Sequence, residues 1–215
     1  MPGTVQALQK ELIAQITPQL AEMGFAFKAK TRSFYRDIKG GKQILHLTFI
    51  NHPGDFDVTA DVAVRIDALE DLVNAGNQTI SASERALTAS VGAELGNISA
   101  GQPKRWKVAS EADVAHAVSG VLGEFRSTGL PYLERFCSLE EIMSVLAGDD
   151  PASRLHSPLH TPRAMRALGA AFLLGRWDRF DEIAETKSRY LAERKDFGLG
   201  TYTAFAERLA QKKPA

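Results

Sequence analysis

The sequence predicts an α+β fold: an antiparallel sheet of four to six strands backed by helices, followed by an all-helical C-terminal region. Three observations predict it. Apolar residues recur at helical spacing over residues 5–23. A period of two follows over residues 25–66, interrupted by two glycine-containing turns. Beyond residue 110 helical spacing returns with cap signals and no further alternation. The expected division is a helix-plus-sheet domain over 1–130 and a helical region over 131–215 packed on it.

Thr4 is placed to cap a first helix whose apolar positions are Val5, Leu8, Leu12, Ile16, Leu20 and Met23. Pro18 removes an amide donor inside that run. A kink or a restart is therefore expected, with Thr17 as N-cap. Gly24 ends the helix, because glycine takes left-handed geometry at little cost. Phe25 to Lys28 and Ser33 to Ile38 read as strands, and Gly40-Gly41 turns the second into Gln43 to Asn51. His52-Pro53-Gly54-Asp55 is the next turn. Phe56 to Ile66 then alternates most cleanly, with Val58, Ala60, Val62, Val64 and Ile66 on one side and Asp57, Thr59, Asp61 and Arg65 on the other.

Asp67 to Ala75 reads as a short helix closed by Gly76, and Leu87 to Glu94 and Lys104 to Val108 as further strands. Gly96, Gly101 and Pro103 mark a loop between them. Ser110 opens a helix with Asp113 placed to return the cap, and Gly129-Leu130-Pro131 stops it. Ser138 caps Leu139 to Ala147, and Asp149 to Pro158 is turn-rich. Helices follow from Thr161 to about Arg176, from Asp178 to about Lys195, and from Gly200 or Thr201 onward.

Composition narrows the function without naming it. The 215 residues carry 26 basic and 26 acidic side chains, and each half is balanced, so nucleic acid is not an expected partner. The single Cys137 excludes an internal disulfide and a multi-cysteine zinc site. The N-terminal residues carry no signal-peptide pattern and no apolar run is long enough to span a bilayer, which sets the expectation of a soluble, cytoplasmic protein without a membrane partner.

At Pro18-Gln19-Leu20, Gly24-Phe25-Ala26-Phe27-Lys28, Phe34-Tyr35-Arg36 and Gln43-Ile44-Leu45-His46-Leu47 the chain resembles a bacterial group classed as a domain of unknown function. That pattern has a leading helix, a GF-x-x turn into strands, an aromatic-x-Arg strand and a Gln-led apolar strand, and the likeness spans roughly residues 5–130. It implies no catalytic residue. Small bacterial α+β proteins of this sort are often immunity proteins, which bind and neutralise a toxin; analogy of size and architecture, rather than any shared motif, carries that toxin–antitoxin expectation to this chain.

The search for chemistry is mostly negative. His156 and His160 stand four apart, but Pro158 lies between them, so no metal site is expected. His46 near Asp57 could do acid–base work, and Cys137 precedes a helix start where a thiolate is stabilised. Neither is accompanied by a nucleophile elbow, a Walker loop or a dinucleotide fingerprint, and no cofactor is expected. The binding candidates are the polar sheet face, with Lys28, Lys30, His46, Asp57, Asp61 and Arg65, and an acidic helical stripe of Asp178, Asp181, Glu182 and Glu185. The expectation is a non-enzymatic protein-binding module, an immunity protein against a cytosol-acting toxin. The alternatives are an enzyme using His46 with Asp57 or Cys137, and an adaptor docking through the C-terminal helical hairpin. Apolar faces serving a core and a dimer look alike in sequence, so the oligomeric state stays open.

Overall fold

A computed structural model describes residues 4–75 and 80–214; Gly76, expected to close the second helix, lies outside the described residues. The elements run α1 (Val5–Glu22), β1 (Ala26–Lys28), β2 (Ser33–Ile38), β3 (Gly41–Asn51), β4 (Phe56–Ile66), α2 (Asp67–Asn74), α3 (Ala82–Arg85), β5 (Val91–Glu94), α4 (Leu95–Ala100), β6 (Trp106–Val108) and α5 (Glu111–Glu124). A π-helical turn (Phe125–Gly129) leads into α6 (Leu130–Arg135), α7 (Leu139–Ala147), α8 (Pro151–His156), α9 (His160–Leu173), α10 (Trp177–Glu193) and α11 (Leu199–Ala210). The fold is α+β. Its six-stranded antiparallel sheet has the order β1-β2-β3-β4-β5, with β6 also paired to β4.

The chain forms two compact units, and each is discontinuous. The first comprises Met1–Ala63 with Ala93–Glu134; the second comprises Val64–Gly92 with Arg135–Ala215. The sequence division at residue 130 was continuous, whereas here β4 leaves the first unit at Ala63 and β5 re-enters it at Ala93.

In the first unit α1 runs unbroken through Pro18. The restart expected at Thr17 does not occur. The Thr17 hydroxyl donates instead to the Ile13 carbonyl at 2.5 Å. Leu8, Leu12, Ile16 and Leu20 are buried on both sides of the proline, so packing outweighs the lost amide bond. The helix closes in a Schellman motif: Phe25 N–H donates to Leu20 O, Gly24 N–H donates to Ala21 O, and Gly24 holds φ +84°.

The period of two then sorts the strands. Phe34 pairs with Leu45 and Ser33 with His46, so one face is apolar and the other polar. Helices α1 and α5 pack together, and the Phe25 and Phe125 rings meet edge to face at 5.4 Å.

Helix α5 does not stop at Gly129. Leu130 N–H bonds back to Phe125 O, an i→i−5 step that carries the chain into α6 despite Pro131. Helix α5 also lies close to β6, where a Cβ on Gly120 would stand 2.7 Å from the Trp106 Cδ1. Gly120→Ala is therefore expected to cost about 1–3 kcal/mol, as overpacking does. A urea titration reads this as a lowered midpoint at unchanged slope.

In the second unit α9 is the hub, because α2, α7, α10 and α11 all pack against it. Its small buried residues Ala164, Ala167, Gly169, Ala170 and Ala171 allow that approach; a Cβ on Gly169 would already stand 3.0 Å from the Leu69 Cδ1. A second Schellman motif at Gly175 turns α9 into α10.

Three short helices depart from the expected loops and strand. The strand expected from Leu87 begins only at Val91, because Ser81 and Glu84 form a capping box that makes α3 before it. Glu94 caps α4 where glycines suggested a loop, and Asp150 with Pro151 at the first turn starts α8 in the turn-rich stretch.

Candidate binding surfaces

The polar face of the sheet in the first unit is built around His46. The Ser33 hydroxyl donates to the Thr31 carbonyl at 3.0 Å. Its single proton is thereby used, so the 2.9 Å contact to His46 has Nδ1–H as donor and Ser33 Oγ as acceptor. Ser33 is 3% exposed and anchored, the opposite of a nucleophile awaiting a base.

His46 acts electrostatically on Asp61. Burial pushes the Asp61 carboxyl above its usual value of 3.8; His46 opposes this and Glu94 reinforces it. Glu94 accepts from Thr59 Oγ1 at 3.1 Å, Asn97 N–H at 2.8 Å and Lys104 N–H at 3.1 Å. Sequence reasoning missed Glu94, since its capping role depends on a helix that was read as loop.

The pair expected between His46 and Asp57 is not formed. Asp57 lies 3.2 Å from His52 Nε2, across the tight turn that brings those residues together. Lys107, opposite Asp57 in the β4–β6 ladder, reaches Asp55 at 2.8 Å. Lys28 is exposed, with its ammonium 4.7 Å from the centre of the Tyr35 ring, and Lys30 is exposed in the following turn.

Because Asp61 is held above its usual value, its ionised form costs stability. That cost is absent below 3.8, grows as pH rises toward the raised value and is constant above it. Asp61→Asn is expected to raise Tm at pH 7, with the gain disappearing as pH falls toward 3.8. Thermal melts across pH read it directly.

The remaining expected residues lie in the second unit. Arg65 is 5% exposed rather than displayed on the face. It donates to Asp67 Oδ1 at 2.7 Å, Asp71 Oδ1 at 3.0 Å, the carbonyls of Arg85 and Thr88 at 2.8 and 3.0 Å, and Thr88 Oγ1 at 2.8 Å. A guanidinium with this many acceptors holds the 85–88 turn against the end of β4 and is closed to a partner. The acidic stripe on α10 is exposed but internally paired. Asp181 binds Lys213 at 2.8 Å, Glu182 pairs with Arg179, Glu185 lies 3.6 Å from Arg189, and Asp178 lies 3.8 Å from Arg176. Cys137 is exposed, immediately before the N-cap Ser138 of α7.

The second unit also holds buried charges that the sequence reading did not single out. Asp149 accepts from Arg163 Nη2 at 2.9 Å and Lys187 Nζ at 2.8 Å, and both cationic side chains are essentially fully buried. Lys187 donates further to the Gly148 carbonyl at 2.8 Å, and Arg163 to the Ser157 carbonyl at 2.9 Å. Burial pushes the Lys187 ammonium below its usual value, and Asp149 works against that.

His160 Nδ1 lies 3.1 Å from Arg163 Nη2 and 3.1 Å from the Tyr190 hydroxyl. A guanidinium can only donate, so Nδ1 is an acceptor. Burial and the Arg163 charge hold His160 below its usual value. His156 does not join it; its ring lies 5.0 Å from that of Phe136, and burial lowers its value too.

Nearby, Arg166 grips the fully buried Glu70 with two bonds, 2.8 and 3.1 Å long. These networks point inward, with only the Arg163 Nε left buried without a hydrogen-bond partner among the described groups, and we read them as structural.

Among the described residues no group of three or more His, Cys, Asp or Glu is placed to hold a metal ion, and no helix is long and apolar enough to cross a membrane. No protein-family model, curated protein or solved structure matches the chain.

Proposed function

We propose that the chain is a non-enzymatic protein-binding module that uses the polar sheet face of the first unit. One observation supports this most: Asp61 is a half-buried carboxylate on the polar face whose ionised form is disfavoured chiefly by burial, with His46 opposing that and Glu94 adding to it. A lysine or arginine from a partner would supply the counter-charge that this half-buried carboxylate lacks. Such a site rewards the correct partner through complementarity more than through buried area. The surrounding groups are fixed on strands, so little ordering entropy opposes docking.

The resemblance and analogy drawn from the sequence suggest the use of such a module: neutralising a toxin that acts in the cytosol. The test is growth rescue. Co-expression with the toxin encoded beside it should protect the cell. Asp61→Lys should abolish protection while the far-UV spectrum stays unchanged. Absence of binding to any such toxin overturns the role, and retained binding by Asp61→Lys overturns the surface.

A further inference from the structure

On the opposite, apolar face of the sheet, a groove of about 460 Å³ opens between the first half of α1 and the sheet. Its apolar lining is Val5 and Ile13 from α1 with Phe27 of β1 and Phe49 of β3. Strand alternation places both phenylalanines on the side of the core: Phe27 packs at a tilt against buried Phe34 at 4.8 Å and Phe49 meets buried Phe56 edge-on at 5.4 Å. They are nevertheless only half-buried, because α1 does not cover this part of the sheet.

The charges lining the groove are Lys10 and Arg32, with no carboxylate. Neither makes an ion pair among the described residues. Strand β1, which carries Phe27, is the terminal strand of the sheet and has one unpaired edge.

From these features we infer a second docking site, for an extended acidic segment of a partner protein with apolar residues at alternate positions. Such a segment can add beside β1, set its apolar side chains on Phe27, Phe49 and Ile13, and present carboxylates to Lys10 and Arg32. This extends the reading of the chain as a protein-binding module but uses different residues on a different face.

Arg32 makes the test clean, because it holds φ +50°, a conformation natural to glycine. Arg32→Gly removes the cation without asking the backbone to move. The probe is a capped, fluorescein-labelled heptapeptide of alternating glutamate and leucine. Its lysine–leucine counterpart and a single-stranded oligothymidine serve as comparators, all read by anisotropy at low salt.

The glutamate–leucine peptide is expected to bind, and Lys10→Glu combined with Arg32→Gly to weaken it at least tenfold without lowering Tm. Asp61→Lys should leave it unchanged, so failure of the polar-face reading and failure of this one are distinguishable. Amide shifts in labelled protein should map to α1, β1 and the end of β3. No binding, equal binding of the lysine peptide, preference for the oligothymidine, or binding indifferent to the double variant would each overturn the site.

Discussion

Replacing Asp149 with alanine is expected to destabilise the second unit by roughly 3–5 kcal/mol, the typical cost of stripping the partner from a buried charge. The penalty falls at the upper end because one carboxylate serves two cations. Arg163 and Lys187 are both buried, and both direct nitrogens to Asp149 Oδ1 at under 3 Å. Without it two positive charges face each other in a medium that screens poorly. Lys187→Met should behave in the opposite way. It removes the cation that burial already disfavours, leaves Asp149 paired to Arg163, and fits a long unbranched side chain into the same space. Chemical denaturation of the three proteins side by side checks the pattern: a large loss for Asp149→Ala and a small change for Lys187→Met. Equal losses would mean that the site acts through packing and not charge.

The second large effect concerns Glu70 and Arg166. Burial alone would push the Glu70 carboxyl up, but the Arg166 charge and its hydrogen bonds overcome that and hold it below its usual 4.5. A carboxylate depressed on folding stabilises the native state at pH above 4.5, and the contribution is lost as pH falls through the folded value. Arg166→Met leaves Glu70 buried with no counter-charge and should cost roughly 3–5 kcal/mol at neutral pH. In that variant Glu70 is expected to take up a proton at higher pH than before. The stability gap between wild type and Arg166→Met should therefore begin to narrow above pH 4.5, as the variant's Glu70 takes up its proton, and go on narrowing below it as the wild-type carboxylate is protonated. Denaturant midpoints measured from pH 7 to pH 3.5 test the sign, and a gap that widens toward acid would refute the assignment.

The sheet was legible because alternation is a local signal: Val58, Ala60, Val62 and Val64 announce β4 and its buried face without reference to the rest of the chain. The restart at Thr17, one of the two outcomes expected of Pro18, does not occur because the proline's cost is local and its compensation is not; four leucine and isoleucine side chains hold α1 together across it. The short helices were invisible as periodicity, although Ser81 with Glu84 was a readable capping box.

The binding surfaces were only half legible. His46 and Asp61 follow from strand alternation, yet the assignment of Asp57 to His52 rather than His46 depends on the turn. Arg65 shares its alternation with Asp61 and only its neighbours reveal that it is enclosed. Of the buried ions, Lys187 did leave a trace: it occupies the apolar stripe of Phe180, Ile183 and Leu191 on α10, where a lysine must find a counter-charge. Glu70, between Leu69 and Val73, is the same signal on α2. The groove left none, since it arises from where one helix fails to cover one sheet.

The interrupted order of the two units has a consequence for the chain during its synthesis. Glu70 emerges 96 residues ahead of Arg166, with all of the first unit's later segment translated in between. At about 5–20 residues per second that interval lasts roughly 5–20 s. Throughout it the ribosome carries a carboxylate whose burial has no compensation, so α2 gains nothing by enclosing it early. The first unit has all its residues once Glu134 is made, whereas the second must wait for α9. The Glu70–Arg166 pair therefore ties completion of the second unit to the arrival of α9, because α2 can bury its carboxylate with a counter-charge only once that helix has been made.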